Sequence, residues 1–367
     1  MTFPLNIENG VQVVAWMLMG AALVGMLAHR LHVPYAVALV VGGIAVEESH
    51  LVAVPHLDPG VLLFVFLPPL LFDAAFRLDE RELRAVARPV LLLALPGTVA
   101  TALIVGAVTT WALHLSPAVG LLFGSIVAAT DPVAVVAVFR TLRTPVRLEV
   151  IAEAESLIND GVAITLYAAS LPLVVTGTTD VSGAFGLFVR QVVGGVAIGV
   201  LLGMLFSRAT AIIDDHRIEM TLSTALAYGS FLIAQAFETS GALACVAAGL
   251  IHGSYGRQVG MSERTRRLLD DLWEYFGFLA NALVFLLVGF TVSITSLVSQ
   301  AMPVIVGVVG VLVSRVLVVL GPPLLMPRRF VATSAAERAV LVWGGLRGAL
   351  TITLALALPP EVADREL

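Results

Sequence analysis

The sequence contains no lysine and a single cysteine, and it is poor in aromatic residues (7%) and in charge (13%). Each shortage excludes something. One thiol cannot close an intrachain disulfide, and Cys245 lies in an apolar stretch, so neither thiol nor metal chemistry follows from it. Nothing resembles a nucleotide-binding P-loop, so ATP-driven work is not implied. The missing lysines suggest a GC-rich bacterial genome. A soluble domain carries about 25% charged residues, and this chain has about half of that. Its 59% hydrophobic residues come mainly from Leu, Val, Ala and Ile runs, which fits helices solvated by lipid and not a soluble barrel or sandwich. The net charge of −5 says little about partners, because most charges sit in short loops between apolar runs. The N-terminus, MTFPLNIENG, lacks the basic stretch and cleavage site of a signal peptide, so the first apolar run is expected to stay as a span.

A bilayer core of roughly 30 Å takes about 20 apolar residues as a helix. Apolar runs between charged breaks predict twelve spans, near 10–29, 33–46, 60–76, 86–113, 117–139, 148–173, 184–207, 219–237, 241–255, 270–290, 302–326 and 337–359. The second and ninth are short and read as tilted, broken or tightly packed. Basic residues mark cytoplasmic loops, and they alternate here. After Arg30 come Arg77, Arg81, Arg84 and Arg88, then Arg140, Arg143 and Arg147, then Arg208 and Arg217. Arg257, Arg264, Arg266 and Arg267 follow, and then Arg328, Arg329 and Arg338. Only Arg190, Arg315, Arg347 and Arg365 of the 21 basic residues fall elsewhere. The intervening loops hold Glu47, Glu48, Asp58, Asp180 and Glu238. This predicts an all-α polytopic protein of the inner (plasma) membrane, with the N-terminus and the tail PPEVADREL outside.

Ionisable groups inside hydrocarbon are costly and point to function. They stand at Asp73 in the third span, Asp131 in the fifth, Glu155 and Asp160 in the sixth, Arg315 in the eleventh and Arg347 in the twelfth. Thr130-Asp131-Pro132 predicts a break in the fifth helix, because Pro132 lacks an N–H and clashes with the preceding turn. Gly344, Gly345 and Gly348 predict a second break around Arg347. Broken helices near the midplane are how many secondary transporters build ion sites. In Glu155-Ser156-Leu157-Ile158-Asn159-Asp160, Ser156 and Asp160 share one helical stripe and Glu155 and Asn159 the next. Hydroxyl, amide and carboxylate oxygens are what a dehydrated sodium ion requires. Asp160 is the natural exchange group: ionised it binds a cation, and protonated it is neutral. Glu155 and Arg347 read as a compensating structural pair, since either charge alone would be expensive. Arg315 needs an acid too, with Asp73 and Glu274 as candidates. The seven histidines read as interfacial residues at span ends and loops.

FLPPLLFDAAF, AATDPVAVVAVF, AEAESLINDGVAI, NALVFLLVGF and WGGLRGALTITLAL together resemble the NhaP-type sodium/proton antiporters of the cation:proton antiporter-1 family, relatives of the animal sodium/proton exchangers. The resemblance covers nearly the whole chain. It implies an inverted-repeat fold of thirteen transmembrane helices, a homodimer, and a core domain moving against a dimerisation domain. The repeats would be about 1–173 and 219–367, joined by a linker helix at about 184–207. It also implies that Asp160 binds the ion with Ser156, Thr130 and a carbonyl near 130 as co-ligands, and that Asp131 neutralises helix ends or assists. Asn159-Asp160 is similar to the electroneutral branch, where one cation exchanges for one proton. Asp73 stands where many members are expected to carry Glu, and with Arg315 it is a possible accessory residue. Twelve spans against thirteen lead to the expectation of a C-terminally truncated chain lacking the last helix.

The expected function is secondary antiport of Na+ or Li+ against H+ by alternating access, with no cofactor beyond the transported ions, no enzymatic activity and no nucleic-acid partner. Potassium/proton or broadly monovalent exchange keeps the same fold. An intramembrane aspartyl protease would need a GxGD-type motif, and Asp131 sits in TDP and Asp160 in ND. A non-transporting membrane sensor is the remaining rival, separated by flux.

Overall fold

In the computed structural model, the described residues are 7–31, 33–49, 62–132, 135–136, 138–139, 144–177, 180–213, 215–292, 294–325, 333–359 and 362. All regular structure among them is helical. In chain order the helices are α1 (Ile7–Leu31), α2 (Tyr35–Ser49), α3 (Leu67–Arg77), α4 (Glu80–Leu113), α5 (Pro117–Ile126) and α6 (Val146–Val175). They continue with α7 (Val181–Thr210), α8 (His216–Ala236), α9 (Gly241–Ile251), α10 (Glu263–Thr291), α11 (Ala301–Leu320), α12 (Ala335–Trp343) and α13 (Ala349–Leu356). Among the described residues, six helical stretches are long and apolar enough to cross a bilayer by themselves, those beginning at Val14, Glu80, Val146, Val181, Glu263 and Ala301. The others are shorter, interrupted or, like the 21-residue α8, less apolar.

The polar residues between apolar runs act as helix caps. The Asp79 carboxylate accepts from the Arg81 and Glu82 amides at 2.7 and 3.1 Å at the start of α4. Ser116, Ser240 and Ser262 do the same for α5, α9 and α10. Ser334 and Glu337 form a reciprocal capping box on α12. Before α7 the Gly183 amide and the Ser182 hydroxyl donate to Asp180 and hold its carboxyl below the usual carboxylate range.

Polar residues between the apolar runs thus satisfy amides that hydrocarbon could not.

Small residues decide the packing. Gly195, Gly199 and Gly203 form a buried stripe on α7 that lies against α9, and a Cβ on Gly199 would stand 2.2 Å from the Ala244 carbonyl oxygen. Such backbone contact replaces the hydrophobic effect where the solvent is itself apolar. The outer side of α7 exposes Val181, Phe185, Val193, Leu201 and Leu205, a face suited to lipid. The ninth expected span resolves as tightly packed: all of Gly241–Gly249 is buried, and α9 continues into a π-helical turn at His252–Gly256. The main core joins α3, α6, α8, α9 and α10. Trp273 packs 4.5 Å from Phe72 and donates to the Ser223 hydroxyl at 2.9 Å. Cys245 is fully buried there, its thiol against the carbonyls of Pro68 (3.3 Å) and Ala227 (3.6 Å). Helix α6 contacts α3, α4, α5, α7, α9 and α13, so the ESLIND segment lies at the centre.

Candidate functional site

Both expected breaks are present. Helix α5 ends at Ile126 and the chain runs without helix through residue 132. Helix α12 ends at Trp343, and residues 344–348 are likewise unwound before α13. The two breaks cross, and the Asp131 amide donates to the Leu346 carbonyl at 2.9 Å. The crossing is close enough that a Cβ on Gly348 would stand 2.3 Å from the Asp131 Cβ and 2.4 Å from its Oδ2. Asp131 therefore lies beside the start of α13, where a helix presents partial positive charge. Replacing Gly348 with Ala is expected to push the segments apart and cut cation-dependent proton flux at least about tenfold, with the protein still folding. Flux equal to that of the parent would show that the crossing tolerates a methyl group.

Helix α6 supplies the groups that hold the first break. The Ser156 hydroxyl donates to the Thr130 carbonyl. The Asn159 amide brackets the same residue: its Nδ2 donates to Thr130 Oγ1 at 2.6 Å, and its Oδ1 accepts from the Thr130 amide at 3.3 Å. Hence the expected co-ligands, Ser156 of α6 and the hydroxyl and carbonyl of Thr130, meet around one residue of the break. The hydroxyl oxygens of Ser156 and Thr130 and the Thr130 carbonyl keep lone pairs beyond these bonds. Asp160 stands one residue beyond Asn159. Its Oδ1 is sealed from solvent and has no hydrogen-bond partner among the described residues. The charged groups acting on it are Asp131 and Arg347.

The expected Glu155–Arg347 pair is not the one formed. Glu155 is bound by Arg315 of α11 in a two-pronged ion pair, one prong at 3.1 Å, with both side chains almost fully buried. The third donor, Nε of Arg315, reaches the Leu341 carbonyl near the end of α12 at 2.9 Å. A planar guanidinium suits a carboxylate and a helix C-terminus together. Arg315 therefore takes neither Asp73 nor Glu274. Arg347 lies within electrostatic reach of Glu155 and Asp160, yet its Nε and Nη1 make no hydrogen bond among the described residues.

A cavity of about 620 Å3 runs from this crossing along α3 and α10. Thr130, Asp131, Ser156 and Asp160 line its inner part. Asp73, Arg77, Glu153 and Glu274 line it as well. Asp73 is thus part of the same space, whereas Arg315 is not. Arg77, Glu153 and Glu274 were not anticipated as site residues, since Arg77 serves in the sequence only as a loop marker. One histidine also departs from expectation. His252 is fully buried, with Nδ1 3.0 Å from the Ser207 hydroxyl and its ring beside Phe72 and Phe76.

The sequence profile of the transmembrane sodium/hydrogen exchangers matches residues 18–367. The chain belongs to the sodium/hydrogen exchanger family. It is 33% identical over 359 residues to the Na(+)/H(+) antiporter NhaH of Halobacillus aidingensis, covering 93% of this chain and 87% of that protein. It is 36% identical over 313 residues to the Na(+)/H(+) antiporter NhaP of Pseudomonas aeruginosa, with coverages of 82% and 73%. Among solved structures, the sodium proton antiporter MjNhaP1 of Methanocaldococcus jannaschii matches with a TM-score of 0.79 at 22% identity, over 96% of this chain and 88% of that one. The exchanger family and the antiporter fold are therefore those expected from the sequence motifs.

Proposed function

We propose that this exchanger moves Na+ (or Li+) in one direction and H+ in the other, through alternating access at one site centred on Asp160. The observation carrying this reading is that Asp160, whose Oδ1 has no hydrogen-bond partner among the described residues, lines one cavity together with Thr130 and Ser156. A carboxylate in that position gains a counter-ion either as a proton or as a bound cation. Holding neither, it is an uncompensated charge, which resists movement through the low-dielectric protein. The two ligands are thereby coupled, and a gradient of one drives the other. Asn159 orients Thr130, Asp131 compensates the start of α13, and the Glu155–Arg315 pair holds α6 to α11. With one carboxylate exchanging one charge for another, the cycle is electroneutral. The named relatives, NhaH and NhaP, are Na(+)/H(+) antiporters.

We place residues of about 1–173 and 219–367 as inverted repeats, each contributing one of the crossed breaks, joined by α7. The protein works as a homodimer in the plasma membrane with its N-terminus outside, so the α3–α4 arginines face the cytoplasm.

The test is proton flux in proteoliposomes holding the full-length protein, with a preset pH gradient and sodium, lithium and potassium added in turn. Sodium or lithium should collapse the gradient without shifting the membrane potential. Competition at one site also predicts that each unit of acidification raises the apparent KM for the cation by up to about tenfold, with little change in maximal rate. Collapse by potassium alone would reassign the cation, and no response to any cation would end the antiporter reading.

A further inference from the structure

The cavity's outer part contains a charge that the exchange cycle does not use. Arg77, the last residue of α3, bridges two acids of different depth. Its Nε and Nη2 reach the carboxylate of Asp73 at 3.0 and 3.4 Å, and its Nη1 reaches Glu274 of α10 at 3.3 Å. Asp73 is 12% exposed and Glu274 70% exposed, so the guanidinium spans the passage from surface to interior. The site is shaped for Asp73: a Cβ on Gly277 of α10 would lie 2.3 Å from Asp73 Oδ2. Two carboxylates thus hold the guanidinium, and Glu153 of α6 lines the same space on the way to Asp160. A cation approaching Asp160 must pass acids that already hold a positive group.

We infer that Arg77 is a tethered cation that competes with the transported ion for the acids at the cavity mouth and thereby sets its apparent affinity. This inference rests on the exchange reading only for its transport readout. A guanidinium cannot be deprotonated in a protein, so Arg77 itself keeps its charge at every pH, unlike the proton at Asp160. Its strength depends on charge and on screening. Removing Arg77 leaves the acids to concentrate cations locally, as a cleft lined by one sign of charge does. The location of Arg77 at the C-terminal end of α3 stabilises it there without a ligand. The helix itself therefore holds the competitor in place.

The test uses the full-length protein with Arg77→Gln, Arg77→Lys and Glu274→Gln. In proteoliposomes at low ionic strength, Arg77→Gln should lower the apparent KM for the transported cation about threefold to tenfold, with a near-parental maximal rate. The difference should fade as an inert salt is raised. Arg77→Lys keeps the charge but not the planar fork, so it should lower KM less than Arg77→Gln does. Glu274→Gln removes an acid and should raise KM. A second readout, the cation concentration that half-stabilises the detergent-solubilised protein against heat, should shift in the same directions without requiring transport. An unchanged or raised KM in Arg77→Gln, or Arg77→Gln and Glu274→Gln moving together, would overturn the inference. Absent flux in the parent protein would defeat the exchange reading alone, and the thermal midpoints would still decide on Arg77.

Discussion

Asp160→Asn is expected to reduce cation-driven proton flux to less than about 1% of the parental rate while leaving a folded protein. The substitution keeps the shape of the side chain and removes only its ability to carry charge. Asn cannot release a proton and cannot neutralise a cation, so both halves of the exchange are lost together. A charged ligand to a desolvated cation contributes several kcal/mol, and about 2.7 kcal/mol already corresponds to a hundredfold. Stability should change in the opposite sense. The parental carboxylate has an oxygen sealed from solvent with no hydrogen-bond partner among the described residues, and a neutral amide relieves part of that cost. Thermal unfolding in detergent should therefore be equal or later in the variant. Normal flux through Asp160→Asn would remove Asp160 from the mechanism, and loss of fold would make it a structural residue.

The second large effect is on stability. Arg315→Leu should cost about 3–5 kcal/mol, because it leaves the Glu155 carboxylate buried between α6 and α11 without its counter-charge. Poor folded yield and a lowered unfolding temperature are the expected readouts. Replacing both partners, Glu155→Leu with Arg315→Leu, should recover most of the loss, since a buried pair exchanged for apolar side chains is often neutral. Arg347→Ala makes the contrast. Glu155 retains Arg315 in that variant, so folded yield should stay near the parent while flux falls with the lost charge near Asp160. An equal collapse of yield in Arg347→Ala and Arg315→Leu would mean that Glu155 depends on both arginines.

Much of the site was legible in the sequence because polar residues stand out against apolar runs. Thr130-Asp131-Pro132 marks a break by the chemistry of proline alone, and Ser156, Asn159 and Asp160 fall on adjoining stripes of one helix. Which acid meets which arginine was not legible. Glu155 is equally free of neighbours in sequence from Arg315 and Arg347, and the choice depends on the rotation of α11 against α6 and on the unwinding at 344–348. Bond formation across helices from distant parts of the chain leaves no periodic trace. Arg77 was hidden for a different reason: a basic residue after a span already has an explanation as a topological signal. His252 likewise reads as the end of a span, and only the continuation of α9 into a π-helical turn shows it to be enclosed between α7 and α3. The Gly348 contact was hidden because a glycine's role depends on what crosses it.

The burial of Cys245 has a practical consequence for following the protein at work. Its thiol is closed in by the carbonyls of Pro68 and Ala227 and is wholly shielded, and the sequence has no second cysteine and no lysine. Maleimides and amine-reactive dyes therefore meet almost no internal background. A reporter placed by Phe278→Cys, at an exposed position that lines the cavity, can be labelled without removing any of its acids, and its reaction rate, followed as sodium or pH is changed, would report access to the cavity.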